Sequence, residues 1–496
     1  MSPMNPQEMR LRTWLQIVAV GYGLFSLFLL FRAPGSADDL IFGVPVSAAY
    51  GCAAWGLIAF MAWFASGDVR RFRTMIAALS VLLVYGGIVG LIASETAATG
   101  TPQLLAVVSA LVDGAAGIVV ILLLAGTPPS PDFITLWRTN KPQTQAERVL
   151  APLLFVVGVL AAAVSVFLVY GRLSGSATLL VTLNSAMMVG FAAVFFGGIA
   201  ACALLAAYDL RAHGELLTLG LIGGLLALLA HLFVLLGGGS LQARPPTVSS
   251  AALQPAAPLL AAVIAASPLI DLLLILIFGL ARRWLNLSLL DYLRFFTPGQ
   301  FWALAAISDG LIEGGDQELL KPHEIALRVD NHLASFPAPK LALSRLAITA
   351  LDLLIPFVFG LRPPLSYMHL SERRDFINTQ FKINIVAGKG LYALLHTLRL
   401  DFLSDLVEGM MRFVMQFAYL GYYGDKKVQT QVGYQPFSLR AVERNIDLKP
   451  IRRHPPLDVV TPDDLDSQGV DVIDDADVVI IGSGAGGAIL AERLLA

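Results

Sequence analysis

WLQIVAVGYGLFSLFLLF, Trp14 to Phe31, decides the fold class: an apolar run with no charged residue to interrupt it. A helix rises about 1.5 Å per residue and a bilayer core is about 30 Å thick, so a run of this length is long enough to span. Similar runs follow at Ile41 to Phe64, Thr74 to Ala93, Pro102 to Ala125, Val149 to Tyr170, Thr178 to Ala207, Leu216 to Leu236 and Pro258 to Leu280. The expectation is about eight spans. The first run has no small-residue cleavage site after it and is followed by more spans, so it does not read as a removable signal.

Composition agrees. Hydrophobic residues make up 56% of the 496 and charged ones 14%, well below the roughly 25% charge of an ordinary soluble domain. The net charge of −2 gives no reason to expect a nucleic-acid partner. The two cysteines, Cys52 and Cys202, lie in apolar runs without metal-ligand spacing, so neither a disulfide framework nor a metal site is expected.

Orientation is read from lysine and arginine. One side collects Arg10, Arg12, Arg70, Arg71, Arg73, Arg138, Lys141, Arg148, Arg211, Arg282 and Arg283, the other only Arg32, Arg172 and Arg244. Eleven against three puts both termini in the cytoplasm, as in a bacterial inner membrane. Inside the spans stand four polar residues, Asp113, Asn184, His231 and Asp271. Such groups mark proton or quinone sites, or else meet a hydroxyl on a neighbouring helix. His231 is the one histidine in a span, which argues against a bis-histidine haem. No internal repeat stands out, and that counts against a secondary transporter.

Charges return at ordinary density beyond Arg283. Thr297-Pro298-Gly299-Gln300 reads as a helix start, with Thr as N-cap, Pro in the first turn and Gln returning a bond to the cap. Helical segments follow, broken at Gly314-Gly315, Phe336 to Pro339, Arg362 to Pro364 and Gly388. Leu341 to Gly360 is apolar but carries Arg345, Asp352 and Pro356, and is read as a buried or membrane-surface helix rather than a ninth span. The domain scheme is therefore a polytopic α-helical membrane domain (1–283), an all-α soluble domain (284–434), a Pro- and Asp-rich linker (435–476) and a nucleotide-binding segment (477–496).

That segment, DVVIIGSGAGGAILAERLLA, has an apolar strand, Gly482-Ser483-Gly484-Ala485-Gly486-Gly487, and an opening helix. G-x-G-x-x-G between strand and helix is the start of a Rossmann-like α/β dinucleotide fold. The first glycine makes the tight turn, the second admits a pyrophosphate close to the backbone, and the third lets helix pack on strand. The chain stops at Ala496, so the rest of that fold and its catalytic residues are expected downstream.

The blocks FWALAAISDGLIEGG (Phe301 to Gly315), RVDNHLASFP (Arg328 to Pro337), YYGDKKVQTQVGY (Tyr422 to Tyr434) and VVIIGSGAGGA (Val478 to Ala488) resemble a known arrangement. They are similar to the helical region before the flavin domain in long-chain alcohol oxidase-like members of the glucose-methanol-choline (GMC) oxidoreductase family, and to the small helical subunit of gluconate 2-dehydrogenase. The resemblance implies that Gly482, Ser483, Gly484, Ala485, Gly486 and Gly487 hold the diphosphate of FAD. It implies hydride transfer from an alcohol to the flavin, assisted by a histidine to which no residue here corresponds. With a membrane anchor, the expected substrate is a hydrophobic alcohol, a fatty alcohol or sterol, taken from the lipid bilayer; quinone or another acceptor would receive the electrons. The alternatives are a membrane-anchored NAD- or flavin-dependent reductase of another family, and a non-enzymatic membrane protein with a nucleotide-sensing module.

Overall fold

The computed structural model describes residues 5–32, 45–94, 101–127, 133–139, 144–173, 186–236, 266–312, 319–336, 342–358, 360–380, 399 and 401–434. Met1–Val432 form one compact unit and Gly433–Ala496 a second. The linker and Gly482 to Gly487 lie outside the described residues, as does Asn184.

Eight long helices occupy the predicted spans: α1 (Pro6–Arg32), α2 (Pro45–Ala65), α3 (Arg73–Ser94), α4 (Thr101–Ala125), then, after the short α5 (Phe133–Thr139), α6 (Gln145–Leu173), α7 (Ala186–Tyr208), α8 (Glu215–Leu236) and α9 (Ser267–Leu289). Seven are long and apolar enough to cross a membrane. The eighth, α2, has a shorter apolar stretch, Ala49–Ala65, so the expected eight reduce to seven and a shorter partner. Among the described residues the last of these helices begins at Ser267 and runs to Leu289, which carries Arg282 and Arg283 into the helix instead of past its end.

The bundle is a tandem repeat of four helices, α1–α4 and α6–α9. Within each half the first two helices pack together and so do the last two; α2 crosses to α8 as α7 crosses to α3, and α2 and α7 meet at the centre. The polar details repeat as well. Asn5 and Glu8 form a capping box at the start of α1, each backbone amide donating to the other's side chain at 2.8 Å. Thr144 and Glu147 do the same at the start of α6, at 3.3 and 3.4 Å. Each glutamate is also clamped by an arginine from the loop after the next helix, Glu8 by Arg70 (2.7 and 2.8 Å) and Glu147 by Arg211 (2.8 to 3.1 Å). Each loop is itself tied by an aspartate, Asp68 accepting from the Arg70 and Arg71 amides and Asp209 from those of Arg211 and Ala212.

These clamps fix direction. Glu8 meets Arg70, so α2 returns the chain to the end where α1 began; Arg73 at the start of α3 donates to the Thr127 carbonyl just past α4, closing a four-helix half on the same end. In the second half Ser288 near the end of α9 donates to Thr144 at 3.3 Å. Both halves therefore enter and leave at one end of the bundle. They are parallel repeats.

The outer helices α1, α4, α6 and α9 expose Leu24, Leu122, Leu160 and Leu269, each more than half accessible, as a lipid-facing surface requires. Between helices, small residues set the spacing. A Cβ on Gly87 would lie 2.8 Å from the Ala110 carbonyl oxygen, and one on Gly117 2.8 Å from that of Ser80, so the α3 and α4 backbones nearly touch.

After α9, three consecutive amides, of Arg294, Phe295 and Phe296, donate to buried Asp330 at 2.6 to 3.0 Å. The carboxylate holds the turn into α10 (Pro298–Leu311), whose capping box on Thr297 and Gln300 is the one expected. Next come α11 (Pro322–Leu333) and α12, which runs Ala342–Thr349, a π-helical Ala350–Leu354, and Ile355–Val358. Then follow a 3₁₀ turn at Leu365–Tyr367, α13 (Leu370–Gln380), α14 (Asp401–Tyr423) and α15 (Lys426–Gln431). One apolar core runs from Leu11 in α1 to Phe417 in α14, so these helices share their core with the bundle.

α12 buries Ser344, Ala347, Ile348, Leu351 and Ile355 and exposes Leu343, Leu346, Leu353, Leu354 and Phe357. Apolar on its outer face and too short to cross, it has the pattern of an in-plane helix. Its end is fastened to α2: Trp63 donates to the Leu361 carbonyl at 2.8 Å and packs edge-on against Phe357.

Candidate functional site

Asp113 and Asp271 are counterparts in the two halves. Each ends a Ser-x-x-x-Asp turn, Ser109-Ala-Leu-Val-Asp113 in α4 and Ser267-Pro-Leu-Ile-Asp271 in α9. On a helix that spacing places hydroxyl and carboxylate on one face. Both carboxylates are buried, Asp113 at 4% exposure and Asp271 at 0%.

Their surroundings differ. Asp271 pairs with His231 Nδ1 at 2.7 Å, the same nitrogen lies 2.9 Å from the Ala227 carbonyl, and the Ser267 hydroxyl hydrogen-bonds His231 Nε2 at 3.3 Å. Tyr50 of α2 packs edge-on against the imidazole with ring centres 4.9 Å apart. Asp271 Oδ1 is buried without a hydrogen-bond partner among the described residues. In the first half Val89 and Phe191 line a void of about 10 Å³ beside Asp113, together with Ser109 and Gly86. Asp113 accepts instead from Tyr22 of α1 at 2.6 Å, and Tyr22 stacks on Trp55 at 4.8 Å. Sequence reading named both aspartates and His231 but neither tyrosine. Each tyrosine was a lone polar tip in an apolar run, the only signal available.

A larger cavity lies at the basic end. It encloses about 360 Å³ and is lined by the ends of α2, α5, α8 and α9, by the start of α10 and by the π turn of α12. Glu215 at the start of α8 accepts from both Arg71 and Arg138 at 2.8 Å. Arg71 also reaches the Ser366 carbonyl at 2.9 Å. Asp352, on the π turn, accepts from the Ser366 amide and hydroxyl at 2.8 and 3.1 Å. Burial pushes its carboxyl up to about 6, against those two bonds and the charge of Arg373. Arg282 lines the same space with no hydrogen-bond or ion-pair partner among the described residues. Phe64, Ile134, Ile222, Leu285, Trp302 and Leu353 supply apolar wall. From sequence the arginines read only as markers of topology. What the sequence did not show is that they converge on one space.

Against protein-family models, curated proteins and solved structures alike, the chain finds no match.

Proposed function

We propose that the chain is the membrane-embedded portion of an FAD-dependent oxidoreductase acting on the hydroxyl of a hydrophobic alcohol. The observation that carries this is a pattern in the sequence: the apolar run Val478 to Ile481 and the G-x-G-x-x-G of Gly482 to Gly487 follow seven helices long and apolar enough to cross a membrane. Gly482, Gly484 and Gly487 would let the diphosphate of FAD rest on backbone amides at a helix start, where the helix dipole favours an anion. Bound there, FAD supplies the hydride acceptor. The apolar outer faces of α1, α4, α6 and α9 suit contact with lipid, the phase in which a fatty alcohol, a sterol or quinone dissolves. The basic end of the bundle, by the positive-inside rule, faces the cytoplasm of a bacterial inner membrane.

The test is the flavin content of protein purified from its own membranes in detergent. In the full-length protein, which adds the rest of the flavin fold, one FAD per chain, bleached anaerobically by a long-chain alcohol, is expected; residues 1–496 alone should hold none, and Gly484→Val in the full-length protein should lose the flavin while thermal unfolding of the bundle is unchanged. Nicotinamide binding without flavin would move the assignment to another reductase class. A second reading is favoured by the repeat: parallel halves with matched buried carboxylates suit a transporter, the nucleotide segment then acting as a sensor. Dissipation of a proton gradient in vesicles that Asp113→Asn and Asp271→Asn both abolish would support it.

A further inference from the structure

We propose that the 360 Å³ cavity at the basic end binds an anionic amphiphile, its charged head on Arg282 and its acyl chain along Phe64, Ile222 and Leu285. The volume falls in the range of about 300–1,000 Å³ typical of small-molecule sites. Charge selects the head. Three guanidiniums, of Arg71, Arg138 and Arg282, face two carboxylates, and both carboxylates are already engaged, Glu215 by two arginines and Asp352 by Ser366. Arg282 is left over. A guanidinium that lines a cavity with no hydrogen-bond or ion-pair partner among the described residues is open to an arriving carboxylate or phosphate, which it can hold with charge-assisted, two-pronged hydrogen bonds.

The wall selects the tail. A free inorganic anion would have no use for Phe64, Ile134, Ile222, Leu285 and Trp302. Leu353 belongs at once to the cavity lining and to the exposed apolar face of α12, so apolar surface runs continuously from outside to inside. Nothing in this depends on the flavin assignment.

Native mass spectrometry of the detergent-solubilised chain, titrated with oleate, dioleoyl phosphatidic acid, oleyl alcohol or inorganic phosphate, tests it. Wild type should bind one oleate or one phosphatidic acid at least tenfold more tightly than oleyl alcohol or inorganic phosphate. Whichever of the two lipids binds more tightly identifies the head. Arg282→Gln should weaken that binding at least tenfold and Arg282→Lys should recover most of it, while Leu285→Trp, which fills the cavity, should weaken alcohol and acid alike. Equal binding of oleate by wild type and Arg282→Gln overturns the proposal. So does inorganic phosphate that binds as tightly as either lipid, which would make this a free-anion site. Because Arg282 makes no hydrogen bond or ion pair among the described residues, near-unchanged thermal unfolding of Arg282→Gln is the expected control.

Discussion

The two halves of the bundle share a scaffold and differ around the buried carboxylate. Both have the capped and clamped glutamate, the aspartate-tied loop and the Ser-x-x-x-Asp turn. In the second half an imidazole stands over the carboxylate; in the first, a valine and a small void do, and a phenol from α1 supplies the hydrogen bond. Retained scaffold with altered centre indicates that the shell sets the architecture and that the carboxylate's partner is free to vary. It also separates interactions that should cost the same in both halves from those that should not.

The largest expected difference lies at that centre. His231→Val removes the imidazole partner of buried Asp271, which costs about 3–5 kcal/mol in buried pairs. Tyr22→Phe removes one hydrogen bond from Asp113, at about 1–3 kcal/mol. Denaturant unfolding in detergent measures both, and adding Asp271→Asn to His231→Val should recover part of the loss. Equal costs in the two halves would break the comparison.

Next in size is a region outside both halves. Asp352 has a folded pKa of about 6 against 3.8 ordinarily, so its protonated form is the one the fold favours. The resulting stability is fully present below about pH 4 and is lost as pH rises through 6. At 1.36 kcal/mol per unit that amounts to about 3 kcal/mol. Asp352→Asn should flatten the stability profile between pH 4 and 7; a profile unchanged by the substitution would show that other groups set it.

The clamps sharpen the likeness. Glu8→Gln and Glu147→Gln should each cost about 1.5–3 kcal/mol, and in the double variant the two costs should add within about 0.5 kcal/mol, as for independent sites. Unequal single costs would mean that the repeat is geometric without being energetic. Smallest of all is the serine pair. Ser267→Ala gives up its bond to His231, about 0.5–1.5 kcal/mol, whereas Ser109→Ala, with no partner among the described residues, should stay within about 0.5 kcal/mol.

The spans were legible because transfer of apolar length into lipid is a property of composition, and the capping box at Thr297 because it is local chemistry. Ends were less so. The Ala-rich stretch before Ser267 is as apolar as a span, which let the expected last span close at Leu280 and set Arg282 outside it. Partners were not legible: Tyr22 and Asp113, or Arg71 and Glu215, lie on separate helices, and nothing in a single sequence states which faces meet. The repeat was hidden because the spacing drifts, Asp113 to Asp271 being longer than Glu8 to Glu147, so no single offset aligns the halves. The glycine turn lies outside the described residues, and its reading rests on sequence alone.

Even helix number in each half has a consequence for how such a chain could arise and be built. A unit that starts and finishes on the same side can be copied head to tail without inverting the copy, so one gene-doubling event suffices and no flanking charges need reversal. Since α2 packs on α8 and α7 on α3, each half hands its second helix to the other, as two identical subunits would before fusion. A chain cut between α4 and α6, with each piece made separately, should reassemble from its parts.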